Sequence, residues 1–208
     1  RDSLTTDQGF DMPEKWRRVR AKTLSVKERE IEYPRWFDCI VGNPPYTRQE
    51  EIAEIAPEDR QYKGKLIDRA LKDMNGRKMA DISRRAGIYA YFFVHGTKFL
   101  RNGGRFGFVV SESWLDVDYG KELQEFLLRH SHVKMILDNA ARRSFEADVN
   151  TIIALLAPPD EKTKEGLNKA ARFVMFKVPF EDVLSPVIFQ EIEEATDRLI
   201  RPEFRIIV

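Results

Sequence analysis

With 208 residues, 42% of them hydrophobic and 33% charged, the chain is long enough for one domain with a buried core, and its composition excludes a disordered polymer. A net charge of +1 excludes any inference about partners from global charge, and the single cysteine, Cys39, excludes an internal disulfide. No apolar run approaches the roughly 20 residues of a membrane helix and the start, RDSLTTDQ, has no signal-peptide pattern, so a reducing, cytoplasmic setting with no membrane partner is expected.

In chain order, the first nine residues read as the end of an element cut short, which suggests a fragment of a longer protein. Residues 11–35 are polar, with a basic run from Arg17 to Lys22, and predict a loop or short surface helix. Phe37 to Val41 is short, apolar and β-branched, and predicts a buried strand with Cys39 as a buried structural thiol. A long charged insertion, 48–85, follows. It holds helical pieces (50–55 and 64–74) broken by Pro57 and Gly76.

Residues 86–101 predict a helix, because Ile88, Tyr91, Phe92, His95 and Phe99 recur at helical spacing, and Gly103-Gly104 are expected to end it. A strand is expected at 105–111. A helix at 119–129 turns Leu123, Phe126 and Leu127 inward, and strands are expected at 133–137, 150–157 and 171–178. The pair 133–137 and 150–157 is too closely linked for a helical crossover and should be antiparallel. An acidic helix is expected within 181–200, beginning near Pro186, with Val187, Ile188, Ile192 and Leu199 as its packing side. The alternation of strands and helices argues an α/β fold.

Charge is unevenly distributed. Arg60 to Arg85 carries nine Lys or Arg against three Asp, while Glu181 to Asp197 carries six acids and no Lys or Arg. One face can therefore meet a polyanion and another cannot. Three isolated histidines and one cysteine make no zinc pattern, so no metal is expected.

The chemistry concentrates at Asn43-Pro44-Pro45-Tyr46, which closes the first apolar strand. Ligands of open α/β sheets bind outside the carboxyl ends of strands. Each proline fixes φ and removes an N–H, so the loop presents carbonyls with few competing donors. The Asn43 side-chain oxygen and the Pro44 carbonyl could accept both hydrogens of one exocyclic NH₂, while Tyr46 offers a flat face. Two such acceptors favour a pyramidal nitrogen, free its lone pair and stabilise the charge that grows as it attacks a methyl donor.

DCIVGNPPYTR, followed by IYAYFFVHGTKFLRNGGRFGFVVSESWL and SFEADVNTIIALL, resembles the N6-adenine DNA methyltransferases with the NPPY signature, found in restriction-modification systems. The resemblance covers roughly 36–157. Ser111 to Leu115 stands where the family often has a proline-containing loop. The resemblance implies the later half of a Rossmann-like S-adenosylmethionine-dependent methyltransferase sheet with an antiparallel edge hairpin. It implies S-adenosylmethionine as methyl donor, with most of its pocket upstream of Arg1, and double-stranded DNA as partner, the target adenine being flipped out.

Asn43, Pro44, Pro45 and Tyr46 would be catalytic. Tyr46 and Phe145 would stack on the base, and Asp2 and Asn43 would meet the cofactor. Lys63, Lys65, Arg77, Lys78, Arg84 and Arg85 would contact DNA phosphates. Residues 1–180 would form a partial catalytic domain, and 181–208 an acidic helix and linker toward a target-recognition domain. Specificity or nuclease domains of the longer protein would be further partners, and the isolated fragment would be inactive. Two alternatives stay open: methylation of a glutamine amide in a protein, and a non-catalytic DNA-binding or assembly subunit.

Overall fold

The computed structural model describes residues 18–22, 28–32, 36–47, 51, 61–73, 75–139, 150–159, 166 and 169–208. Two short strands come first, β1 (Arg18–Lys22) and β2 (Glu28–Glu32), paired antiparallel. The sequence predicts a loop or helix here. The register explains the difference: Arg18, Arg20 and Lys22 pair with Glu32, Glu30 and Glu28, so positions of opposite charge face each other along the ladder.

A seven-stranded mixed sheet forms the body. Its strands are β3 (Phe37–Gly42), β4 (Leu100–Ser111), β5 (His132–Asp138), β6 (Thr151–Ala157), β7 (Arg172–Phe176), β8 (Leu199–Ile200) and β9 (Phe204–Ile207), in the order β3-β4-β6-β5-β7-β9-β8. β3 runs parallel to β4, and β5 parallel to β7; the other neighbours are antiparallel. The expected antiparallel pair, β5 with β6, is present. The sheet continues past it, so that pair lies inside the sheet.

The helices are α1 (Tyr62–Ala70), α2 (Ile88–Thr97), α3 (Lys121–His130), α4 (Phe180–Val183) and α5 (Pro186–Glu194). Side chains alternate across the sheet, so it feeds two cores. On one face Ile136, Ile152, Ala154 and Leu156 join α1, α2 and α3 through Leu66, Tyr91, Phe93, Leu123 and Leu127. On the other, Met135, Leu137, Val174 and Phe176 join Ile192 of α5. α2 is buried nearly all round, as a helix apolar on every side must be. α5 starts where expected: Pro186 takes the first turn and the Ser185 hydroxyl accepts from the Ile188 N–H at 3.3 Å.

Four expectations change. Cys39 is exposed and Val41 is 76% exposed, because β3 is the end strand and has only β4 beside it among the described residues. An apolar run alone cannot tell one covered face from two. Gly103-Gly104 do not stop a helix. α2 ends at Thr97 and the glycines sit within β4, where the register runs from Phe37↔Leu100 to Cys39↔Arg105, a bulge on β4. Gly103 has φ +75°, and a Cβ on Gly104 would stand 3.0 Å from the Asp38 carbonyl oxygen.

Val187 is 74% exposed, whereas Ile192 is fully buried and Ile188 and Leu199 pack on the core. The segment 181–208 does hold the helix, but its remainder is not a linker: β9 pairs with β7, and Phe204 and Ile206 are buried in the second core.

Candidate active site at the carboxyl ends of the strands

The strand directions bring one set of residues to one edge of the sheet. Gly42 lies beside Phe108, Ser111 beside Thr151, and Asp138 beside Ile152. The carboxyl ends of β3, β4 and β5 and the amino end of β6 therefore share this edge, where open sheets place their ligands.

Asn43 to Tyr46 leave β3 there. Asn43 is exposed, and its carboxamide meets no hydrogen-bonding partner among the described residues. Pro44 is buried and anchors the loop, while Pro45 is exposed. Tyr46 is half-buried, and its hydroxyl donates to the Val109 carbonyl of β4 at 3.3 Å. Burial pushes that hydroxyl's pKa above the ordinary tyrosine value, so it stays a neutral donor. One residue on, the Thr47 carbonyl accepts the Ile88 N–H at 3.3 Å. The whole insertion between them is thus an excursion that returns to the foot of the loop.

The Tyr46 bond fixes a ring that the backbone alone would leave free to turn. Tyr46→Phe is expected to lower stability by about 0.5–1.5 kcal/mol, the net worth of one hydrogen bond. Urea unfolding checks this, and an unchanged midpoint would show that the bond contributes nothing.

The sequence analysis gives no site role to the rest of this edge. Ser111 closes β4 and its hydroxyl accepts from the Ser113 N–H at 3.3 Å, capping a 3₁₀ turn, Glu112–Leu115. The two serine hydroxyls are 3.0 Å apart, and Ser113 lies 3.4 Å from the Tyr89 hydroxyl. Glu112 accepts from the Asn150 side chain at 2.7 Å, and its N–H donates to the Asn150 carbonyl at 3.1 Å. Gln124 holds the turn onto α3 through the Trp114 carbonyl at 2.7 Å. Asp138 ends β5; burial first, then the Glu112 charge, push its carboxyl pKa up. Asn139 is buried and donates to Glu181 at 3.4 Å. The available signal was position: Ser111 and Asp138 end strands, and Glu112, Asn139 and Asn150 directly follow or precede one.

Of the other expected site residues, Asp2 and Phe145 lie outside the described residues. Lys63 and Lys65 lie on α1, and Arg77, Lys78, Arg84 and Arg85 lie between α1 and α2. Lys63, Lys78 and Arg84 line one hollow of about 550 Å³ together with Lys72, whereas Lys65, Arg77 and Arg85 do not. No described helix is long and apolar enough to cross a membrane.

The chain and its fold have counterparts in known proteins. The chain is 31% identical over 119 residues to the type II methyltransferase M.BstVI of Geobacillus stearothermophilus, covering 57% of this chain and 18% of that protein. It is 32% identical over 113 residues to the type II methyltransferase M.PaeR7I of Pseudomonas aeruginosa, covering 54% of this chain and 17% of that one. The chain thus spans about a fifth of the length of these relatives. Among solved structures, the type IIG restriction endonuclease BpuSI superposes with a TM-score of 0.56 at 16% identity, covering 81% of this chain and 18% of that one. That likeness carries the fold alone, a mixed α/β sheet. Residues 7–145 match the family described as the Eco57I restriction-modification methylase, and with well over half of its length matched the chain belongs to that family.

Proposed function

We propose that the protein is a DNA methyltransferase of a restriction-modification system, transferring methyl from S-adenosylmethionine to the N6 amine of an adenine extruded from the duplex. The observation that carries this reading is the Asn43–Tyr46 loop: an exposed carboxamide beside a buried proline at a strand's carboxyl end, with an aromatic ring tied down next to it.

The donor set suits the reaction. An exocyclic amine offers two hydrogens, and the Asn43 side-chain oxygen and the Pro44 carbonyl are two acceptors with no N–H on Pro44 or Pro45 to compete. Accepting both hydrogens draws the nitrogen lone pair out of conjugation, and the same oxygens stabilise the positive charge that develops on nitrogen. Tyr46, with Phe145 as the second face, stacks on the extruded ring, worth on the order of 1–3 kcal/mol per base. The proton leaves afterwards, so no strong base is needed in the transfer step.

The exposed Asn43 carboxamide fits the edge of a cofactor pocket, and Asp2 is the second residue assigned to it. S-adenosylmethionine supplies the electrophilic methyl when bound. The chain's own residues hold and orient the amine that receives it.

The test is transfer of labelled methyl from S-adenosylmethionine by the intact protein to duplex DNA and, in parallel, to protein acceptors, followed by digestion to nucleosides and amino acids. Label in N6-methyladenine is the expected outcome. Label on cytosine alone overturns the base assignment, and label on glutamine alone overturns the DNA reading.

A further inference from the structure

A hollow formed by α1 and the segment that follows it is lined by four cationic side chains, Lys63, Lys72, Lys78 and Arg84, and one acid, Asp68. A run of basic residues ordinarily forms a solvated face, with its charges spread apart. Here the backbone forces two of them together. Lys72 and Lys78 are antiparallel bridge partners, directly opposite each other. Like charges in that position destabilise a ladder.

The turn that joins them is strongly specified. The Asp73 carboxylate accepts from the Asn75 and Arg77 N–H groups, each at 2.8 Å. Gly76 takes φ +75°, and its N–H donates to the Asp73 carbonyl at 3.0 Å. Ladder bonds from the Asp73 N–H to the Arg77 carbonyl at 2.7 Å and from the Met79 N–H to the Leu71 carbonyl at 2.7 Å complete it. Asp68 meets Lys72 at 2.6 Å and Asp81 pairs with Lys78, which partly relieves the repulsion without removing the concentration of charge.

Arg84 enters from the segment that leads into α2. The adjacent Ser83 carbonyl accepts from the Tyr91 hydroxyl at 3.5 Å, which fixes this segment on α2. Ile88, four residues beyond Arg84, donates to the Thr47 carbonyl, so a short run of backbone joins the hollow to the foot of the Asn43–Tyr46 loop.

We infer that this hollow is a phosphodiester site: the Lys72–Lys78 pair and Arg84 grip a backbone phosphate of duplex DNA whose target nucleotide lies at the Asn43–Tyr46 loop. This rests on the DNA reading above and adds to it a particular anion site. Lys72, absent from the cations singled out in the sequence, becomes central, while Lys65, Arg77 and Arg85 fall outside the hollow. A phosphate between the two lysines turns their repulsion into attraction to a shared partner.

The experiment measures duplex binding by the intact protein over a series of salt concentrations, for the unaltered protein, Lys72→Gln/Lys78→Gln and Arg84→Gln. The slope of log affinity against log salt should shrink by roughly 0.9 for each phosphate that is no longer neutralised. Affinity should fall by about tenfold at the lowest salt, equally on all duplex sequences. Thermal stability of the double variant should hold or rise, since repulsion across the bridge is gone, which separates a weakened grip on DNA from a failure to fold. An unchanged slope in a folded double variant overturns the site. Methylation by the unaltered protein is scored separately: with methylation intact and the slope unmoved, only the hollow falls. A slope that shrinks without any methylation of DNA leaves the hollow standing and sinks the catalytic reading.

Discussion

Asn43→Ala is expected to slow methyl transfer to duplex DNA by about 10²–10³-fold, the usual effect of deleting one preorganised hydrogen-bonding group from a transition-state site. Asn43 is exposed and its carboxamide has no partner among the described residues, so its loss should leave the fold within about 0.5 kcal/mol of the original. Duplex affinity should stay within about twofold, because a phosphate framework rather than the base dominates affinity. The loss should then sit in kcat, the signature of an interaction made mainly in the transition state. Asn43→Asp should retain more activity than the alanine variant, because a carboxylate still accepts a hydrogen bond and favours positive charge on the nitrogen. Single-turnover methylation of an adenine-containing duplex checks both variants. An alanine variant that methylates at the original rate removes Asn43 from the chemistry.

The parts of the molecule that were legible in the sequence are those with strong local signals. β3, β5 and β6 are β-branched apolar runs with clear ends, and α3 shows its inward residues, Leu123, Phe126 and Leu127, at helical spacing. The Asn43–Tyr46 loop was legible because two prolines stop a strand where α/β sheets hold their ligands. What was hidden depends on pairing between distant residues. β1 and β2 look like a charged loop until Arg18 is set opposite Glu32. The exposure of Cys39 follows from the position of β3 as the end strand among the described residues, which no local pattern encodes. Lys72 gains its place in the basic hollow only through a turn that Asp73 and Gly76 close. The Glu112–Asn150 bond joins the ends of β4 and β6, neighbours in the sheet but far apart along the chain, and no local pattern sets those two side chains together.

The last strand gives the sharpest test of the architecture. Residues 204–207 fall in the segment expected to be a linker, yet they form β9, and Phe204 is 1% exposed. Its ring lies 5.9 Å from that of Phe176, in the core that also holds Met135, Leu137, Val174, Ile192 and Ile206. Phe204→Ala should therefore cost about 3–5 kcal/mol, the range for deleting a buried aromatic ring where neighbours collapse only partly. A tail outside the fold would tolerate the same change at almost no cost. Val187→Ala, on the exposed side of α5, is the matched control and should change stability by less than about 0.5 kcal/mol. Denaturant unfolding of the two variants decides it. If Phe204→Ala unfolds at the same midpoint as the original, β9 is not part of the cooperative sheet. If it unfolds early, residues 199–207 are bound into the same core as β5, whose carboxyl end lies at the candidate site, and its neighbour β7.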